Sequence, residues 1–121
     1  MTPEQEQAYD ELMQIFTDAE ESIKIKGRNF SQQNLDRYNE ISTLCAILFI
    51  GVPVKGRIEI EEPTSDKPYV GVTIYMDVFE LNISNKAKFI ELINLADEIV
   101  FYGDEENYFQ MTFFVKDIWK E

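Results

Sequence analysis

The spacing of apolar residues in this chain changes near residues 51–53, and that change limits the folds available to it. Before this point, apolar residues recur every three or four positions, as on one face of an α-helix. After it, they alternate with polar residues over 54–62, as in a strand with one buried face. Gly51 and Pro53 stand at the change, where they favour the end of a helix. The chain is therefore predicted to begin with helices and to continue into a sheet.

Two amphipathic helices are predicted in residues 1–50. Thr2 is predicted to cap the first helix, with Gln5 at the capping-box position, and this helix is expected to end near 24–27. Ser31 is predicted to cap the second. The second helix becomes apolar on all sides in its C-terminal half, which indicates that this half is buried in the core.

The rest of the domain, residues 54–119, is predicted to form a ββαββ unit. A helix capped by Ser84 is expected to run to about Leu95 between two pairs of strands. The four strands are predicted at 54–62, 69–81, 98–102 and 108–115. Strands that follow one another in sequence are expected to pair as antiparallel hairpins. The fold class is therefore predicted as one α+β domain over 1–121, in the order α-α-β-β-α-β-β, with helices packed on one face of a four-stranded, mainly antiparallel sheet.

Charge limits the partners that this chain is expected to bind. It carries 23 Asp and Glu against 11 Lys and Arg, for a net charge of −12. Affinity for phosphate is built from Lys and Arg contacts, so nucleic acid and anionic membrane surfaces are disfavoured as partners and a basic protein is favoured. No signal-peptide pattern opens the sequence, and the longest apolar run, 44–54, is too short to span a bilayer. A cytoplasmic location is expected.

Catalytic, metal and cofactor chemistry finds little support in the sequence. The chain has no histidine, the commonest general base and metal ligand. Its single cysteine, Cys45, lies in an apolar helical run and is predicted to be a buried, unreactive thiol. Acidic residues 104–106 lack the spacing of a calcium loop. Asp77, within an apolar strand, is the carboxylate that would need a partner if buried. No enzyme activity, metal or cofactor is expected; a small-ligand site built from carboxylates and tyrosines is the least favoured hypothesis.

Two sets of residues are candidate contact sites for a protein partner. The acidic set comprises carboxylates of the first helix, the first strand and a turn near the C terminus: Asp10, Glu11, Asp18, Glu21, Glu59, Glu61, Asp104, Glu105 and Glu106. The aromatic set is predicted on the sheet face opposite the helices: Tyr69, Tyr75, Tyr108 and Phe114. An uncovered aromatic sheet face surrounded by acidic residues would be an interaction site.

These observations favour a small acidic protein-binding domain without catalytic activity. The preferred hypothesis is an inhibitor or immunity-type protein that covers a basic surface of its partner, for example a nucleic-acid-processing enzyme whose phosphate contacts the carboxylates would mimic. Such binding would depend on salt. The alternative is a homodimeric adaptor or chaperone-like domain that associates through its aromatic sheet face or its first helix, with the acidic residues serving solubility.

Overall fold

A computed structural model describes residues 2–25, 30–49, 58–76, 80–103 and 109–119. Its elements are α1 (Pro3–Ile25), α2 (Gln32–Phe49), β1 (Ile58–Glu61), β2 (Val70–Met76), α3 (Lys86–Leu95), β3 (Glu98–Gly103) and β4 (Phe109–Val115). The four strands form one antiparallel sheet in the order β1-β2-β4-β3. The predicted α+β class and the order α-α-β-β-α-β-β are therefore confirmed.

The centre of the sheet is a pairing between strands from different hairpins. Strands β2 and β4 run antiparallel over seven residues each, from Val70 opposite Val115 to Met76 opposite Phe109. Strand β1 pairs with the outer side of β2, and β3 pairs with the outer side of β4. The two hairpins thus meet through their second strands, which leaves β1 and β3 as the edges of the sheet.

Local hydrogen bonds fix the starts of the first two helices as the sequence predicts. The backbone N–H of Gln5 donates to the Thr2 hydroxyl at 3.2 Å, and the Thr2 N–H donates to Gln5 Oε1 at 3.0 Å. At α2 the Asn34 N–H donates to the Ser31 hydroxyl at 3.4 Å. Each bond satisfies a backbone donor that has no partner inside the helix.

The predicted cap of α3 is wrong. Its N-cap residue is Asn85, whose side chain makes no capping hydrogen bond. The Ser84 hydroxyl instead donates to Asn82 Oδ1 at 2.6 Å, and the Ser84 N–H donates to the same oxygen at 3.0 Å. Because the Asn82 side chain forms this local turn, the Ser84 hydroxyl is taken up before the helix begins.

The core lies between the helices and one face of the sheet. Phe16 and Ile23 of α1 and Leu35 of α2 are almost fully buried in one cluster with apolar residues of β2 and β4. In the same cluster the Tyr38 hydroxyl donates to the Phe16 backbone oxygen at 2.8 Å and so joins α2 to α1. Cys45 is fully buried, as predicted, and burial raises the pKa of its thiol.

Candidate interaction surface

The side of the sheet opposite the helices is not covered by any element in the described part of the chain, and we call it the open face. Alternate side chains of a strand point to opposite faces, so the strand registers identify its members. They are Glu59, Glu61, Gly71, Thr73, Tyr75, Glu98, Val100, Tyr102, Gln110, Thr112 and Phe114. All of these are exposed or half-buried except Gly71 and Thr112. A surface four strands wide is therefore accessible to a partner.

The middle of the open face is uncharged and tightly paired. The hydroxyls of Thr73 and Thr112, on neighbouring strands, lie 2.8 Å apart. The ring of Phe114 meets the ring of Tyr69 edge-on, with centroids 5.4 Å apart. A Cβ at Gly71 would lie 3.1 Å from Phe114 Cε1, so glycine allows this ring to lie against the backbone of β2. The aromatic part of the surface is thus held in place before any partner binds.

Carboxylates flank this uncharged middle on both edge strands. On β1, Glu59 Oε2 accepts a 2.8 Å hydrogen bond from the Tyr75 hydroxyl, and Glu61 is exposed. On β3, Glu98 pairs with Lys116 at 2.8 Å, and both side chains are about half exposed. This bond raises the pKa of Lys116. Within the four described strands, the open face contains these three carboxylates and no Lys or Arg.

A hollow of about 330 Å³ lies at one end of the open face. Its apolar wall includes Val100 and the rings of Tyr69 and Phe114, and its charged residues are Glu98, Lys116 and Asp117. Pro68 completes the lining. The hollow therefore combines apolar walls with two carboxylates and one ammonium group, and Glu98 is already paired with Lys116.

An ion pair at Asp97, the residue before Glu98, fixes the end of the sheet that carries the hollow. Arg37 of α2 donates to both carboxylate oxygens of Asp97, at 3.0 Å and 2.7 Å, and also to the Leu95 backbone oxygen at 3.0 Å. Asp97 Oδ2 also accepts the Lys116 backbone N–H at 2.7 Å. The hydrogen bonds from Arg37 lower the pKa of Asp97. These bonds tie α2 to the strand ends that carry Glu98 and Lys116.

A hydrogen bond from α2 also holds Asp117, the residue after Lys116. The Asn34 side-chain amide donates to the Asp117 backbone oxygen at 2.7 Å. Asp117 has a φ of 53°, in the left-handed region that asparagine and aspartate tolerate better than most residues. The chain thereby turns sharply after β4, and the backbone N–H of the following residue, Ile118, donates to the Pro68 oxygen at 3.0 Å.

The acidic residues of α1 lie on a different surface. Asp10, Glu11, Asp18 and Glu21 are all exposed. At 100° per residue they occupy the side of α1 opposite its buried stripe, which packs towards α2 and the sheet. They therefore point away from the open face, where Glu59 and Glu61 lie. The structure therefore places Glu59 and Glu61 on the same face as Tyr75 and Phe114, and the acidic residues of α1 on another surface.

Some predicted contact residues lie outside the described part of the chain, and the open face contains others that the sequence does not indicate. Asp104, Glu105, Glu106 and Tyr108 lie outside the described residues, as does Asp77. The missed members of the open face are on β3 and β4: Glu98, Val100, Tyr102 and Gln110. Strand β3 carries apolar side chains on both faces, so its sequence has no alternation that would assign a face; only its register with β4 does so.

A comparison with protein-family models, with curated proteins and with solved structures finds no match. Among the described residues, no group of three His, Cys, Asp or Glu side chains is placed to hold a metal ion. None of the helices in that part of the chain combines the length and apolar character needed to cross a membrane.

Proposed function

We infer that this chain is a small acidic protein-binding domain without catalytic activity, and that its open face covers a basic surface of a partner protein. An inhibitor or immunity-type protein acting in the cytoplasm on a nucleic-acid-processing enzyme is the form that fits its charge. The observation that carries this proposal is the arrangement of the open face, where carboxylates on both edge strands flank an ordered, uncharged middle.

The open face has the composition expected of a contact surface. Its middle offers aromatic and hydroxyl side chains already fixed by mutual contacts, so little conformational entropy is lost there when a partner binds. The flanking carboxylates of Glu59 and Glu61 attract cationic groups, and their effect is strengthened by the net charge of −12. A phosphate backbone would be repelled by the same charges, which supports a protein partner over nucleic acid.

Two variants that lose the same number of charges test whether binding depends on the open face or on the overall negative charge of the chain. The first replaces Glu59 and Glu61 on the open face by glutamine, which keeps the acceptor that Tyr75 contacts. The control replaces Asp10 and Asp18 on α1 by asparagine. Each variant loses two of the 23 acidic residues. The wild-type domain is used to capture its partner from a lysate of the source cell, and the purified partner is then titrated with all three proteins by calorimetry.

The expected partner is basic and stoichiometric, and its affinity falls as salt rises. At about 1 kcal/mol for each interfacial carboxylate, the open-face variant should bind about 30-fold more weakly, while the α1 variant should bind within about twofold of wild type. Equal losses in both variants would indicate non-specific charge attraction. A larger loss in the α1 variant would place the contact on α1, and affinity unchanged by salt would exclude the electrostatic basis. Each of these results would overturn the proposal.

A further inference from the structure

The two edges of the sheet differ in how they are protected from pairing with another strand. In the described part of the chain, strand β1 covers Ile58–Glu61 and carries two glutamates, Glu59 and Glu61. Charged edge strands resist pairing with a second chain. Strand β3 has six residues, of which only Glu98 is charged, and none of the described elements pairs with its outer side. Its large side chains are open to solvent on both faces: Phe101 is 62% exposed, Tyr102 55% and Val100 42%.

We propose that β3 is a homodimer interface, at which the β3 strands of two copies pair antiparallel with Val100 on the two-fold axis. Two four-stranded sheets would then join edge to edge into one continuous sheet. The proposal differs from dimerisation through the open face, because both open faces remain uncovered on the same side of the joined sheet. Dimer formation at β3 is independent of the basic partner inferred above.

The register follows from the order of side chains along β3. With Val100 on the axis, Ile99 lies opposite Phe101 of the second copy, and Glu98 lies opposite Tyr102 of the second copy. The apolar pair covers the most exposed aromatic ring of the strand on the helix side of the sheet. No carboxylate lies directly opposite another, so this register avoids the repulsion that like charges on facing strands produce.

A glutamate and a tyrosine already form a cross-strand contact elsewhere in the same sheet. On the open face the Tyr75 hydroxyl donates to Glu59 at 2.8 Å, and this contact is diagonal because Glu59 lies directly opposite Thr73. Glu98 and Tyr102 of the second copy would present the same two groups on the same face, directly opposite each other. A register centred on Phe101 instead places Ile99 opposite Gly103, which has no side chain to pack, and leaves Glu98 without an opposite residue in β3. The register centred on Val100 is therefore preferred.

Disulfide trapping tests the interface and its register together. In the proposed dimer the Cα atoms of Val100 and its mate are about 5 Å apart, within the range that a disulfide spans. The Cα atoms of the two Tyr102 residues are about 14 Å apart, beyond that range. Val100→Cys and Tyr102→Cys are incubated with oxidised glutathione and separated by non-reducing electrophoresis. Wild type, with its single buried thiol at Cys45, is the control for other cross-links.

Light scattering of the unmodified chain supplies the second readout. The fraction of dimer should rise with protein concentration and with salt, because salt screens repulsion between two copies of charge −12. Binding of the basic partner is expected to weaken as salt rises, which is the opposite trend. The salt dependence therefore tests the dimer and the basic partner separately. Val100→Lys, which places two ammonium groups side by side at the axis, should weaken the dimer at least tenfold, while Val100→Thr should leave it within about threefold.

The proposal is supported if Val100→Cys gives a covalent dimer and Tyr102→Cys and wild type do not. It is overturned if wild type stays monomeric at about 1 mM protein and high salt. It is also overturned if a dimer forms but Val100→Cys does not cross-link, or if Val100→Lys dimerises as well as Val100→Thr. Because Val100 is substantially exposed, all of these variants are expected to fold, which circular dichroism checks.

Discussion

Replacement of Asp97 by alanine is expected to lower the free energy of unfolding by about 2 kcal/mol. The bidentate ion pair between Asp97 and Arg37 contributes about 1 kcal/mol to the free energy of unfolding, because the two side chains are 25% and 32% exposed and water partly screens their charges. Loss of the acceptor for the Lys116 N–H, 2.7 Å from Asp97 Oδ2, adds about 1 kcal/mol, the typical net contribution of one hydrogen bond. For a domain of this size the melting temperature should fall by about 8 °C.

Urea denaturation of wild type and Asp97→Ala measures this difference and its dependence on pH. The pKa of Asp97 is lowered in the folded state, so its contribution to stability is fully present above the unfolded value near 3.8. That contribution is lost as the pH falls through the folded pKa. The difference in the free energy of unfolding between wild type and Asp97→Ala should therefore be constant above about pH 5 and should become smaller below pH 4.

The adjacent pair provides the matched control for this prediction. Glu98→Gln breaks the ion pair with Lys116. Because both side chains of this pair are about half exposed, the free energy of unfolding should stay close to that of wild type. If Asp97→Ala costs no more than Glu98→Gln, or if the gap from wild type is the same at pH 7 and pH 3, the anchoring role assigned to Asp97 is wrong.

Two further predictions concern the helical part of the core. Tyr38→Phe removes the 2.8 Å bond to the Phe16 backbone oxygen and should lower stability by about 1 kcal/mol in urea titrations, whereas an unchanged midpoint would show that this bond contributes nothing net. The Cys45 thiol is fully buried and its pKa is raised, so it should react with a chromogenic disulfide reagent such as DTNB only after denaturation; rapid reaction of the folded protein at pH 8 would contradict its placement.

The sequence predicts those parts of the fold that depend on short-range patterns. The capping box of Thr2 and Gln5 and the cap at Ser31 involve residues three positions apart, and both are confirmed. The alternation over 58–61 predicts that Ile58 is buried and Glu59 exposed, as observed. The one wrong cap, at Ser84, failed because a competing local turn at Asn82 takes the same hydroxyl.

The position of the open face was predictable in part. The sequence predicts Tyr69, Tyr75 and Phe114 opposite the helices, because these residues alternate with apolar neighbours that are buried. Whether this surface binds a partner stays a prediction. The acidic residues of α1 were grouped with Glu59 and Glu61 by charge alone, and composition cannot show that a helix surface and a sheet face point in different directions.

Tertiary structure alone decided which strands meet and what the edges of the sheet expose. The pairing of β2 with β4 brings Thr73 to Thr112, 39 positions apart, and the Arg37–Asp97 bond spans 60 positions. Contacts at such separations depend on the packing of whole elements, so no local period encodes them. The same holds for β3, which has apolar side chains on both faces and acquires an inner side, an outer edge and a register only through β4.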